Sequence, residues 1–199
     1  PSLGQPSMAA RALADIGMGN AATQSTIAES GAIPPLIKMV SDATDVEGAV
    51  NAASALATLA EENDANAASI AQKNGIAPLV ELLRNHGSDT ATRALWFLAN
   101  SSENQLTILR EGGVVPIVHM LSTDSERGQE WAAAALEALS RDCPENQIAL
   151  SRAGAIPPLV VLLGSGSDTT QRYAQGALLN VAMPNNDNRN AVVKALVAL

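Results

Sequence analysis

The decapeptide GAIPPLVVLL, Gly154 to Leu163, occurs in altered form three times earlier in the chain. The counterparts are GAIPPLIKMV from Gly31, NGIAPLVELL from Asn74 and GGVVPIVHML from Gly112. Their shared prolines are Pro35, Pro78, Pro116 and Pro158, in nearly even succession. An apolar residue stands four positions before each opening residue: Ile27, Ile70, Ile108 and Leu150. A period of about 40 residues marks stacked helical units, each of which buries its apolar face only against its neighbours.

Each unit reads as three helices. The first is short, as in SENQLTILREG, where Ser102 and Gln105 fit a capping box and Gly112 a stop. The second opens beside proline, which suits a helix's first turn because its missing N–H costs little there. The third follows a polar loop such as GSGSDTTQ, with Asp168 and Gln171 as a capping pair, and runs rich in alanine. It closes on a recurring pattern: ALADI at Ala12, ALATL at Ala55, ALWFL at Ala94, ALEAL at Ala135 and ALLNV at Ala177. No segment shows the alternation of period two that a strand needs.

The Gly-x-(Ile/Val)-x-Pro opening and the Ala-Leu-x-x-(Leu/Val/Ile) close resemble the armadillo repeat. HEAT repeats share the period but have two helices and no glycine break, so the resemblance favours armadillo. It implies an all-α, right-handed superhelical solenoid of three-helix repeats. The expected layout is a single array over 1–199. It comprises a partial repeat at 1–21, full repeats at 22–63, 64–101, 102–142 and 143–183, and a partial repeat at 184–199. Neither end shows a polar capping repeat, which predicts a longer parent protein and leaves end-to-end self-association open.

The formal net charge of −8 disfavours nucleic acid and anionic membrane surfaces as partners. No apolar run is long enough to span a bilayer as a helix, so membrane insertion is not expected. Cys143 is the only cysteine, so no internal disulfide forms. That fits a reducing compartment and an intracellular location, cytoplasmic and/or nuclear. His86 and His119 lack a second ligand at a spacing of three or four, which argues against a metal site. GSGSDTT lacks the Gly-Lys-Ser/Thr of a phosphate loop and reads as an inter-helix turn. The carboxylates of EEND, Glu61, Glu62 and Asp64, read as a solvated turn at a helix end, with contact to a basic partner as the alternative. No nucleophile has a base at a recognisable spacing, and no cofactor is implied.

The chain has only four aromatic residues: Trp96, Phe97, Trp131 and Tyr173. Two positions after the leucine of each Ala-Leu pair stand Asp15, Thr58, Phe97, Ala138 and Asn180. Four earlier stand Arg11, Ser54, Arg93, Ala134 and Gly176; seven earlier stand Met8, Asn51, Thr90, Trp131 and Tyr173. These positions share one helix face. The resemblance makes that face the lining of a concave groove for an extended peptide. The expected groove residues are Arg11, Asp15, Asn51, Ser54, Thr58, Arg93, Phe97, Trp131, Tyr173 and Asn180. Phe97, Trp131 and Tyr173 are expected to be at least partly exposed, with Arg93 beside Phe97 and Trp96 turned partly toward a neighbouring repeat. Importin-α-type grooves carry a repeated Trp and Asn on this face, and that pattern is missing here. Catenin-like grooves are strongly basic, and this one is not. The expected function is a non-enzymatic scaffold that binds a protein or extended peptide. The alternative is a substrate-recruiting or regulatory module of a larger protein, such as a ubiquitin ligase.

Overall fold

The structure, a computed structural model, describes residues 4–42, 44–123, 125–183 and 186–198. Among the described residues there are fourteen helices and no strand. A lone helix α1 (Gly4–Gly17) is followed by four triplets. They are α2 (Ala21–Glu29), α3 (Ile33–Val40) and α4 (Val46–Ala60); α5 (Asp64–Gln72), α6 (Ile76–His86) and α7 (Asp89–Leu98). Then come α8 (Ser102–Arg110), α9 (Val114–Met120) and α10 (Glu126–Ser140); α11 (Pro144–Arg152), α12 (Ile156–Ser165) and α13 (Asp168–Ala182). Helix α14 (Asn186–Val197) closes the chain.

The repeated decapeptide is a helix stop and a helix start joined in one device. At its first residue the backbone is left-handed: Gly31 has φ 84°, Gly112 74°, Gly154 78°, and Asn74 takes φ 60° in place of glycine. That residue's N–H bonds to the carbonyl three back, and the next N–H to the carbonyl five back. Thus Gly112 donates to Leu109 and Gly113 to Ile108, and Gly154 donates to Ser151 and Ala155 to Leu150. This is the Schellman arrangement, which satisfies carbonyls orphaned at a helix end. The apolar residue four before the left-handed position is therefore the one whose carbonyl closes the turn. It is also a core residue: Ile70, Ile108 and Leu150 are fully buried. Pro35, Pro78, Pro116 and Pro158 each stand third in the second helix, inside the first turn.

Helices α2, α4, α5, α8, α10 and α13 start on side-chain caps, while Cys143 before α11 makes none; two of the caps stand one residue earlier than the sequence indicates. Ser101, not Ser102, accepts from the Asn104 N–H, and Ser167, not Asp168, accepts from the Thr170 N–H. The expected partners do other work. Gln105 donates through Nε2 to the carbonyls of Ala99 and Ala138, and Gln171 to that of Gly166.

The helices pack as two compact units, Pro1–Leu98 and Ala99–Leu199. In the first, the third helices α1, α4 and α7 lie side by side, with α4 also against α2, α3 and α5. Ala52, Ala53, Ala55, Leu56, Ala57 and Leu59 of α4 have no exposed surface. Alanine on so many sides lets several helices approach one axis closely. In the second unit α10 takes that central place, against α9, α11 and α13, and Ala132–Leu136 are wholly buried.

A buried asparagine ties first helices to the third helices before them. Asn66 donates to the Leu59 carbonyl at 2.9 Å, Asn146 to Leu139 at 2.9 Å and Asn188 to Val181 at 3.0 Å. Each acceptor is the last-but-one residue of its third helix, where the helix supplies no partner of its own.

Left-handed residues also follow third helices. Gly19 takes φ 67° after α1, but Glu62 and Asp142 hold φ 51° and 52° after α4 and α10. A Cβ is disfavoured in that region. Glu62→Gly is therefore expected to stabilise the fold by about 0.5–1 kcal/mol, offset in part by glycine's greater freedom when unfolded. A chemical-denaturation midpoint that fails to rise would show that the Glu62 side chain makes a compensating contact.

Candidate functional site

On α1, Met8 is 73% exposed, and Arg11 and Asp15 are exposed. On α4, Asn51 and Ser54 are half-buried, and Asn51 donates through Nδ2 to Ser7 Oγ at 2.9 Å. Thr90 on α7 donates to the Val50 carbonyl at 3.3 Å. One turn on, half-buried Arg93 donates to Thr58 Oγ1 at 3.0 Å, lies 3.6 Å from a Glu61 carboxylate oxygen and places its guanidinium 5.7 Å from the Phe97 ring centre. Glu61, read from sequence as part of a solvated turn, is instead a partner of this arginine.

Two of the ten expected groove residues are corrected here. Thr58 has no exposed surface, and Phe97 keeps 8%. On α4 and α7 the position two after the Ala-Leu leucine faces the seam between adjacent third helices rather than solvent, whereas Asp15, at the same position on α1, is exposed. A Cβ on Gly17 of α1 would stand 3.2 Å from the Thr58 methyl, and Arg93 of α7 reaches the same threonine from the other side. Phe97 is covered by Arg93 and stacks on Trp96, ring centres 4.5 Å apart and planes inclined by 24°. Trp96, expected to turn inward, is the more open of the two rings. Neighbouring residues lie about 100° apart around a helix, so the rotation of α7 about its own axis decides which ring is covered.

In the second unit, Trp131 on α10 and Tyr173 on α13 are both half-buried. One turn further along each helix stand Ala134, fully buried, and Gly176 of α13. A Cβ on Gly176 would come within 2.8 Å of Glu137 Cγ, so glycine here makes room for the Glu137 chain to lie across α13. Asn180, half-buried, donates to the Glu137 carbonyl at 3.3 Å and to Ser140 Oγ at 3.1 Å. At the N-terminal ends of α10 and α13 a cleft of about 490 Å³ is lined by Glu126, Arg127, Glu130 and Ser165–Ser167. Tyr173 has its pKa raised above the ordinary value, first by burial, then by Glu130 and Glu137, with Arg172 acting the other way.

That shift gives a measurable consequence. Tyr173 is the only tyrosine, so ultraviolet titration of tyrosinate reports this spot alone. Glu130→Gln with Glu137→Gln should lower its pKa part of the way toward 10.0, the remainder being held up by burial. The folded protein keeps the phenolic proton to higher pH than the unfolded chain. Stability must therefore fall as pH rises from the ordinary tyrosine value through the raised one. An unaltered titration curve in the double variant would remove both carboxylates from the site.

Residues 7–198 match the family described as the plant U-box protein ARM repeat region. The chain belongs to this armadillo family. The array is also similar to a designed armadillo repeat protein at 29% identity, covering 98% of this chain and 83% of that one with a TM-score of 0.87. A computationally designed armadillo repeat protein for modular peptide recognition is 30% identical over 94% of this chain and 80% of its own, with a TM-score of 0.84. A third, a designed armadillo repeat protein in complex with the peptide (KR)4, is 27% identical over 96% and 82%, with a TM-score of 0.80. No curated protein matches the chain. The fold is thus the all-α armadillo solenoid that the repeated decapeptide and the Ala-Leu close suggested.

Within the armadillo array, sequence register singles out Trp131, Tyr173, Arg93 and Asn180 but passes over Glu130 and Glu137, which act on Tyr173. Their signal was the spacing of Glu126, Glu130 and Glu137, which places three carboxylates along one stripe of α10.

Proposed function

We propose that this armadillo array is a non-enzymatic protein-interaction scaffold that holds an extended peptide or partner segment against its third helices. The observation that carries this reading is the pair Trp131 and Tyr173, kept half-open although the residues that follow them, Ala132 and Ala174, are fully buried. Large rings left partly exposed on a rigid surface lose little freedom on binding and bury much area. Arg11, Asp15, Asn51, Ser54 and Asn180 supply polar groups on the same register, suited to the unpaired amides of an extended chain. The similarity to designed armadillo proteins made for peptide recognition supports the same assignment.

The reading is tested by titrating a panel of extended peptides against the wild-type chain and Trp131→Ala. Affinity should weaken by roughly 1–3 kcal/mol, with the unfolding midpoint little altered because the ring is not wholly enclosed. Equal affinity in the variant would remove Trp131, and with it this face, from binding.

The family description favours a second reading as well, in which the array is the recruiting or regulatory region of a larger U-box protein. Flanking coding sequence without any further domain would remove it.

A further inference from the structure

We propose that the first-helix face of the second unit is a dimer surface, occupied by the same face of a second copy of this chain turned through a two-fold axis. It uses no third-helix residue and so does not depend on the peptide reading. Glu103 and Arg110 stand near the two ends of α8, and Glu145 and Arg152 near the two ends of α11. Within each pair the spacing is two helical turns, so both charges share one helix face, about 10 Å apart along the axis. All four residues are exposed, and none of them forms an ion pair among the described residues. As the same helix of successive repeats, α8 and α11 pack together, which puts the glutamates on one edge and the arginines on the other. A half-turn about an axis normal to this face lays the glutamates of one copy on the arginines of the other, and the arginines on the glutamates. Such self-complementarity is what an isologous contact requires.

The ground between the charges is apolar. A groove of about 500 Å³ is lined by Leu109, Val114 and Val115 on one side and by Ile148 and Ala149 on the other, with Glu145 and Arg152 also lining it. Val115 is 53% exposed. An apolar centre with charges at its edge is the usual anatomy of a protein interface. The fold itself does not ask for these side chains. The repeat that holds α5 and α6 has Ala65, Ala68, Ala71, Gln72 and Ala77 at the positions of Glu103, Leu106, Leu109, Arg110 and Val115. It still forms the same two helices around a left-handed stop. A carboxylate in the first turn and a guanidinium in the last also favour each helix by itself. That accounts for the signs of the charges, but not for the open valine and leucine between them. The two glutamates and two arginines balance, so the face favours neither a polyanion nor a basic peptide. A second copy carries the matching charges at the matching spacing by construction.

The test is sedimentation equilibrium of the full chain, at about 50 mM salt so that charges at the edge stay largely unscreened. The chain should pass from monomer to dimer and stop there. Glu103→Arg with Glu145→Arg makes the face all basic, and Arg110→Glu with Arg152→Glu makes it all acidic. Each variant alone should dimerise at least about tenfold more weakly, because like charges then meet across the axis. Mixed in equal amounts, the two should pair with each other at least as well as the wild type pairs with itself. That rescue separates a lost contact from a damaged fold. Val115→Asp is the second probe. It puts a carboxylate into the apolar groove, yet it stands in the first turn of α9, where the helix dipole favours it. It should weaken the dimer by roughly tenfold or more with the unfolding midpoint little altered. A chain that stays monomeric up to about 200 μM, a weak affinity even for a transient dimer, would overturn the proposal. So would open-ended growth beyond the dimer, a dimer indifferent to Val115→Asp, or charge variants that fold but fail to pair when mixed.

Discussion

Phe97→Ala is expected to destabilise the protein by about 3–4 kcal/mol, a drop in thermal midpoint on the order of 10 °C for a chain of this length. The ring retains only 8% exposure, stacks on Trp96 and lies under the Arg93 guanidinium. Removing it empties a volume that rigid, alanine-rich helices cannot collapse into. It also removes the ring from beneath the Arg93 guanidinium. Phe97→Leu refills most of the space and should cost only about 1 kcal/mol. Peptide affinity should be unaffected wherever the variant remains folded. A midpoint close to wild type together with lost peptide binding would reverse the assignment and restore Phe97 to the binding surface.

The second large effect is at Asn146. Its side chain is wholly buried, and its Nδ2 serves two carbonyls, Leu139 at 2.9 Å and Gln105 at 3.3 Å. Asn146→Ala strips both and opens a small void, for a loss of about 2–3 kcal/mol. Asn146→Asp is the more diagnostic change. A carboxylate only accepts hydrogen bonds, and here it would face two carbonyl oxygens in a dry site. Its folded pKa must then lie above the unfolded value of about 3.9. The variant keeps most stability below that pH, where the protonated acid donates one bond, and loses it as pH rises through the folded pKa. Denaturation midpoints compared at acid and neutral pH decide the matter. A deficit that does not depend on pH would mean the asparagine is merely filling space.

Both predictions concern residues that sequence reading handled unequally. Phe97 stands out in the sequence because aromatics are scarce, yet register does not carry its burial. Register sets Phe97 one turn from Arg93, but the covering of the ring by Arg93 depends on how α7 is rotated. The buried asparagines went unread although Asn66, Asn104, Asn146 and Asn188 recur with the same period as the prolines. Polar residues after a cap look like ordinary helix starts, and only the distance to a carbonyl two turns back along the chain reveals their role.

The repeat, the helix count per repeat and the punctuation were determined by the sequence alone. Left-handed glycine, first-turn proline and Ala-Leu spacing act within a few residues, and local backbone sterics enforce them wherever the chain lies. Which side chains close seams and which remain open was decided by tertiary structure. Thr58 meets Gly17, and Glu137 lies over Gly176, each pair a whole repeat apart along the chain. Such pairings follow from the distance and rotation between packed helices, quantities that a one-dimensional pattern of apolar and polar residues does not contain.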